Sequence, residues 1–245
     1  CLANGTLIGK QSQETRLRNI NQENSLGIIN GKTTSIAKFP FMVSVLIDDY
    51  YLGSGVILNA HWILTAAFNV NWFPQDELSF RVGSTNSRTG GQTFTVGELV
   101  IHENYTGSWD YDIAVIKLNK PIKFGKKAKA IKLGTKDLKA GTKAAIAGWG
   151  PTSETGQPSS TLLKTKVTVM DREECKKTYP DDINARLMCT YDTKRGPCRS
   201  DCGAPILYKK AVYGLYAGSN NCLSDPAVYT DVVALLDWIK EAIRG

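Results

Sequence analysis

Histidine is scarce in this sequence: only His61 and His102 occur among 245 residues. Chemistry that needs an imidazole base or metal ligand therefore has two candidate residues. Long apolar runs are also lacking, since stretches such as Val232–Leu236 fall far short of the roughly 18 residues that a membrane helix needs. The cysteines form neither facing Cys-x2-Cys pairs nor a CxxC redox motif. We expect no membrane span, no metal site and no cofactor.

The remaining composition is that of an ordinary globular protein with one or two domains. Apolar residues make up 42% and charged residues 22% of the chain. Two glycosylation sequons, at Asn4 and Asn104, together with six cysteines, indicate an oxidising, extracellular setting. The chain as given shows no signal peptide, and we expect that one has been removed. We therefore expect a secreted protein.

The order of apolar and polar residues divides the chain into three parts. Residues 1–27 are polar and lack alternation, which predicts an extended leader. Residues 28–132 and 133–245 contain short apolar or alternating runs that are interrupted about every ten residues, the spacing of antiparallel barrels. The segment Val232–Lys240 has apolar residues at helical spacing and predicts a closing helix.

Three short motifs occur in the order expected of one enzyme family. Ser-Asp-Cys-Gly-Ala-Pro at 200–205 resembles Gly-Asp-Ser-Gly-Gly-Pro, 65–69 resembles Thr-Ala-Ala-His-Cys, and 112–115 resembles Asp-Ile-Ala-Leu. The chain thus resembles the trypsin-like serine proteases, in particular the mite group 3 allergens. It is most similar to the scabies mite inactivated serine protease paralogues. The resemblance implies an all-β fold of two six-stranded antiparallel barrels, chymotrypsin-like, with a C-terminal helix.

The resemblance also implies that the catalytic residues have been lost. Phe68 falls at the position of the histidine base, Cys202 at that of the serine nucleophile, and Asp112 at that of the orienting aspartate. Ser200 replaces a glycine whose amide helps to form the oxyanion hole. We expect His61 and His102 to be surface or packing residues, so no base is left for Cys202. These substitutions predict a pseudoprotease, not an enzyme.

Other positions that correspond to functional residues of the family are changed or kept in part. Gly196 stands at the base of the substrate pocket, and Ala227 stands on its wall in place of a glycine. By resemblance, Ile28 and Asp201 correspond to the zymogen switch, in which a freed amino group pairs with the aspartate. Family bridges are implied for Cys175 with Cys189 and for Cys198 with Cys222, whereas Cys1 and Cys202 have no family partners. The pocket residues are Gly196, Ala217, Gly218, Ser219 and Ala227.

The resemblance implies a non-proteolytic protein of a parasite's gut and faeces that binds host proteins, with complement components as the suspected partners and no nucleic acid. Two alternatives stay open. One is a weak thiol hydrolase that uses Cys202 with solvent as base. The other is a glycan- or anion-binding protein, because ten lysines and one acid, Asp137, lie between residues 117 and 143 in a chain of net charge +7. The same lysine patch could instead attract an acidic face of a host protein.

Overall fold

The computed structural model describes residues 28–153 and 155–244, and within these ranges strands predominate. The strands are β1 Lys32–Thr33, β2 Met42–Ile47, β3 Tyr50–Ile57, β4 Trp62–Thr65, β5 Leu78–Val82, β6 Gln92–Ile101, β7 Ala114–Leu118, β8 Lys132–Leu133, β9 Lys143–Gly148, β10 Leu163–Met170, β11 Leu187–Thr190, β12 Pro205–Tyr208, β13 Ala211–Gly218 and β14 Ala227–Asp231. The helices in these ranges are α1 Arg172–Thr178 and α2 Leu236–Ala242. A 3-10 turn spans Ala67–Asn69.

The first barrel closes in the order β2-β3-β4-β7-β6-β5, with every pair antiparallel. Alternate residues of its strands face inward, as in β5, where Leu78, Phe80 and Val82 are buried. These side chains join a core with Val43, Ile63 and others. The alternation of apolar and polar residues along these strands thus places the apolar side chains inside the first barrel.

The second barrel closes through β9-β10-β11-β14-β13-β12, because β10 pairs with β9 as well as with β11. The predicted fold of two six-stranded antiparallel barrels is confirmed. Two short strands join this sheet from the other half of the chain: β1 pairs with β10, and β8 pairs in parallel with β13. Lys32 and Thr33 thus pair with a strand of the second barrel.

The closing helix starts four residues later than its apolar pattern predicted. Asp231 accepts hydrogen bonds from the amides of Val233 and Ala234, so residues 231–235 form a capped turn before α2 begins at Leu236. Ile239 of α2 is buried in a cluster with residues of both barrels, including Trp62 and Leu215. The helix therefore covers part of the interface between the barrels. In the described part of the chain, no helix has the length and apolar character needed to cross a bilayer.

Candidate functional site

Phe68 lies in the 3-10 turn that follows β4, at the boundary between the barrels. Its backbone N–H donates a 2.7 Å hydrogen bond to Oδ1 of Asp112. The structure therefore brings together the positions of the base and of the orienting acid, but the contact uses the Phe68 backbone. A phenyl ring cannot accept a proton, so the side chain at this position offers no general base.

Asp112 is a buried carboxyl group whose usual partner, an imidazole, is missing from the sequence position that should supply it. Its backbone carbonyl accepts a 3.0 Å hydrogen bond from the Thr230 hydroxyl, which links it to β14. Burial raises the pKa of Asp112 to about 7, and the Phe68 amide offsets this only in part. The hydrogen bonds to the ionised Asp112 side chain thus do not offset the cost of burying its charge.

Cys202 is buried and disulfide-bonded, so its sulfur is not a thiol. No cysteine in the described part of the chain is free. Cys1, whose pairing the sequence left open, lies outside the described residues. The two bridges implied by the resemblance are formed, Cys175–Cys189 and Cys198–Cys222. Because a thiolate is the reactive form of cysteine, a sulfur held in a disulfide cannot act as a hydrolase nucleophile.

Asn69 connects the first barrel to the loop that carries Cys202, a role that the sequence did not predict. Its buried Nδ2 lies 2.9 Å from the Cys202 carbonyl oxygen, 3.0 Å from Thr65 Oγ1 and 3.3 Å from the Ser54 carbonyl oxygen. Asn69 stands at the cysteine of the Thr-Ala-Ala-His-Cys motif. Its side-chain amide thus joins the end of this motif to the loop that carries Cys202.

Ser200, at the oxyanion position, adopts φ +67°, the left-handed conformation that favours glycine. Ser200 therefore strains the backbone of a loop that keeps the conformation glycine would adopt. The next residue closes a turn, because the Asp201 amide donates a 3.0 Å hydrogen bond to the Cys198 carbonyl. A non-glycine residue in this region costs about 1–3 kcal/mol.

Ser200→Gly should therefore stabilise the protein by about 1 kcal/mol, because relief of the strain is partly offset by the greater freedom of glycine in the unfolded chain. Urea denaturation monitored by tryptophan fluorescence measures the change. Ser200→Ala is the matched control, since it keeps the β-carbon and should give no gain. Equal stabilisation by both variants would assign the effect to the hydroxyl group instead of the backbone.

Asp201 is fully buried, and its carboxylate accepts hydrogen bonds from the amides of Gly150, at 2.9 Å, and Cys198, at 3.1 Å. Glycine is required at 150, because a β-carbon there would lie 2.3 Å from Asp201 Cγ. Burial raises the pKa of Asp201 to about 7. Ile28 is buried in the core of the second barrel, and Ile29 pairs with Gly196 through a backbone bridge. The residues of the predicted switch thus lie in the second barrel.

A large side chain that the sequence did not indicate lies next to the predicted pocket residues. Tyr216, immediately before Ala217, is 1% exposed and its ring packs edge-on against Tyr229, with centroids 5.6 Å apart. Its hydroxyl group lies 3.0 Å from Ser219 Oγ, and it shares a core cluster with Ala227. The signal was available, since an aromatic residue directly precedes the predicted pocket segment. The Tyr216 ring, in addition to the Ala227 methyl group, thus occupies space next to the predicted pocket residues.

The two histidines lie outside the three catalytic motifs. His61 is exposed. His102 is buried between two rings, 4.3 Å from Tyr111 and 4.8 Å from Trp238 between centroids, and burial lowers its pKa. Among residues 28–153 and 155–244, no group of three or more His, Cys, Asp or Glu side chains is arranged to hold a metal ion. Asn104 is exposed, whereas Asn4 lies outside the described residues.

Comparison with known proteins agrees with this geometry. The family model described as Trypsin matches residues 28–239. Trypsin iota of Drosophila melanogaster is 32% identical over 225 residues, covering 89% of each chain, and the vitellin-degrading protease of Bombyx mori is 30% identical, covering 89% of this chain and 86% of its own. The crystal structure of scabies mite inactivated protease paralogue S-D1 superposes with a TM-score of 0.83 at 26% identity, covering 88% of this chain and 97% of its own. Mouse neuropsin, at 26% identity, gives 0.82, covering 88% and 100%.

Proposed function

We propose that this chain, which belongs to the trypsin family, is a catalytically inactive, secreted serine protease homologue that acts by binding other proteins. The single observation that carries the proposal is the state of the catalytic positions. Phe68 offers no base, and the Cys202 sulfur is held in a disulfide. In a subtilisin-type triad, loss of the nucleophile or the base alone costs on the order of 10⁶ in rate, and here both are replaced.

The rest of the fold supports a protein that still depends on a well-formed surface. Both barrels have closed hydrogen-bond ladders and buried cores, and polar contacts from Asn69 connect them near the former catalytic centre. One fold can support many functions, and binding of another protein is a function that needs no catalytic residues. A solved relative that is itself described as an inactivated protease paralogue supports the same interpretation.

For partners, we propose host defence proteins of the complement system, with secretion into the parasite's gut and faeces. Disulfides in the chain agree with an oxidising compartment. The thiol-hydrolase alternative is disfavoured, because it needs a free Cys202 thiol and a nearby base. The partner class rests on the family resemblance.

The proposal is tested by adding the purified protein to serum during complement-mediated lysis of antibody-coated erythrocytes. We expect lysis to fall with protein concentration, while purified complement components incubated with this protein alone, without serum, stay intact on a gel. The control is an active trypsin of the same fold whose catalytic serine has been replaced by alanine. Cleavage fragments would contradict inactivity, whereas undiminished lysis with no binding to purified complement components would contradict the partner class alone.

A further inference from the structure

A turn rich in lysine borders a groove on the first barrel, and no residue of the three catalytic positions lines that groove. The turn, residues 123–128, is closed by a 2.9 Å hydrogen bond from the Gly125 amide to the Ala128 carbonyl. The Gln92 side chain of β6 fixes its start, donating to the Lys123 carbonyl at 2.9 Å and accepting from the Lys123 amide at 3.0 Å. We call residues 123–128 the lysine turn.

Both ends of the lysine turn are held by the core. Ile122, just before it, and Ala128, its last residue, are 4% and 3% exposed and pack in the first barrel. The Lys129 amide also donates to the Pro40 carbonyl at 2.9 Å. The backbone that carries the lysines is therefore fixed in advance, which lowers the conformational entropy that the protein loses when a ligand binds.

The groove beside the lysine turn has a volume of about 430 Å³. Gly83 and Gly91 form its floor without side chains, while Gln92, Lys123, Lys126 and Lys127 line it. Glycine is required at 91, which has φ +67° and where a β-carbon would lie 2.1 Å from the Val82 carbonyl oxygen. The groove is shallow and largely open to solvent.

The positive charge around the groove is not balanced by acids. Within the part of the chain that the structure describes, Lys123, Lys126 and Lys127 form no ion pair with a carboxylate. Phe124, in the turn between these lysines, leaves 50% of its surface exposed. The lysine turn thus carries three exposed cations and an exposed aromatic ring on one fixed segment of backbone.

From this geometry we propose that the lysine turn and its groove bind a sulfated polysaccharide. Lysine ammonium groups on flexible stems contact anions as point charges, without the fixed fork geometry of arginine, and thus suit sulfate groups spaced along a chain. The exposed Phe124 ring offers an apolar face against which a sugar ring can pack. The acidic surface of a folded protein is the other occupant that this charge would suit, and the experiment below distinguishes the two. This function is independent of complement binding.

Surface plasmon resonance on immobilised heparin tests the proposal. Lys123→Ala, Lys126→Ala and Lys127→Ala together should weaken binding about tenfold or more. The matched control replaces Lys136, Lys139 and Lys194 by alanine, which gives the same change in net charge at exposed positions outside the groove, and should leave binding nearly unchanged. Because all six lysines are exposed, thermal unfolding midpoints should not change.

Phe124→Ala gives a second, charge-neutral measurement, and we expect it to weaken heparin binding several-fold. Chemically desulfated heparin should not bind. Equal losses in both lysine triples would overturn the proposal in favour of general charge attraction, and so would the absence of heparin binding by the wild-type protein. If the groove triple instead lost binding only to a purified acidic complement protein, the surface would be a protein interface and the polysaccharide proposal would be wrong.

Discussion

Neither the protein nor its Cys202→Ser variant will hydrolyse a peptide substrate above the background of a vector control. Serine at 202 restores a hydroxyl group, but Phe68 still leaves that hydroxyl without a base. The expected deficit relative to an active enzyme is on the order of 10⁶ in rate. Fluorogenic peptides with varied residues before the cleavage site provide the measurement. Turnover by the single variant would show that another group supplies the base.

Replacing two residues at once should restore reactivity toward a small reagent. In Phe68→His with Cys202→Ser, the backbone of residue 68 already contacts Asp112, so a histidine there can be oriented by that carboxylate. We expect a fluorophosphonate probe, which does not need the pocket, to label this double variant and neither single variant. Adding Asp112→Asn should suppress labelling strongly, since the equivalent change in a triad costs on the order of 10⁴ in rate.

Peptide turnover by the double variant should nevertheless stay low, because Tyr216 remains buried beside the pocket wall. Labelling without turnover would show that the restored residues react, whereas Tyr216 still hinders peptide binding. Thermal unfolding of each variant is the control for folding, because every Cys202 substitution also removes a disulfide. A folded double variant that the probe does not label would mean that the Ser200 loop or Asp112 is not in a catalytic geometry.

The sequence predicted those features that depend on short motifs and on alternation. The two barrels follow from strands in which every second residue is buried, as in β5 and β10. The positions of Phe68, Asp112 and Cys202 follow from motif order, and the structure places Phe68 and Asp112 in contact. Strand alternation and short motifs each involve residues close together in the chain, so the sequence alone was enough to predict them.

The features that the sequence missed depend on contacts between distant residues. Asn69 and Cys202 are separated by 133 positions, so nothing local indicated that the Asn69 amide would bind the Cys202 carbonyl. Tyr216 was missed because its burial beside Ser219 depends on the bulge between Tyr216 and Gly218 in the pairing of β13 with β14. The late start of α2 depends on the Asp231 side chain, which competes with the helical apolar pattern at Val232.

Two buried carboxyl groups make the stability of the protein depend on pH. Asp112 and Asp201 are both fully buried, and their carboxylates accept hydrogen bonds from backbone amides, not from a cationic side chain of the described residues. Burial raises the pKa of each carboxyl from its ordinary value of 3.8 to about 7. Each group therefore binds a proton more tightly in the folded protein than in the unfolded chain.

The protein should consequently be less stable at about pH 8 than at about pH 6. Between about pH 4 and pH 7 the folded state holds more protons than the unfolded state, so the stabilisation is complete below the unfolded pKa and is lost as the pH rises through about 7. Between about pH 6 and pH 8 each of the two carboxyl groups loses about 1.4 kcal/mol of this stabilisation, so the total loss is roughly 3 kcal/mol, or a fall of about 10 °C in the unfolding midpoint. His102, whose pKa burial lowers, acts in the opposite direction, but only below its ordinary value of 6.5.

Asp112→Asn isolates one of these two contributions. The amide cannot ionise, so this variant should lose about half of the pH dependence and should be more stable than the wild type at about pH 8. Differential scanning calorimetry from about pH 5 to pH 8 measures both effects. Asp76→Asn, at an exposed position, is the matched control and should follow the wild-type curve. An Asp112→Asn curve parallel to that of the wild type would mean that Asp112 is ionised throughout this range, stabilised by contacts stronger than the Phe68 amide provides.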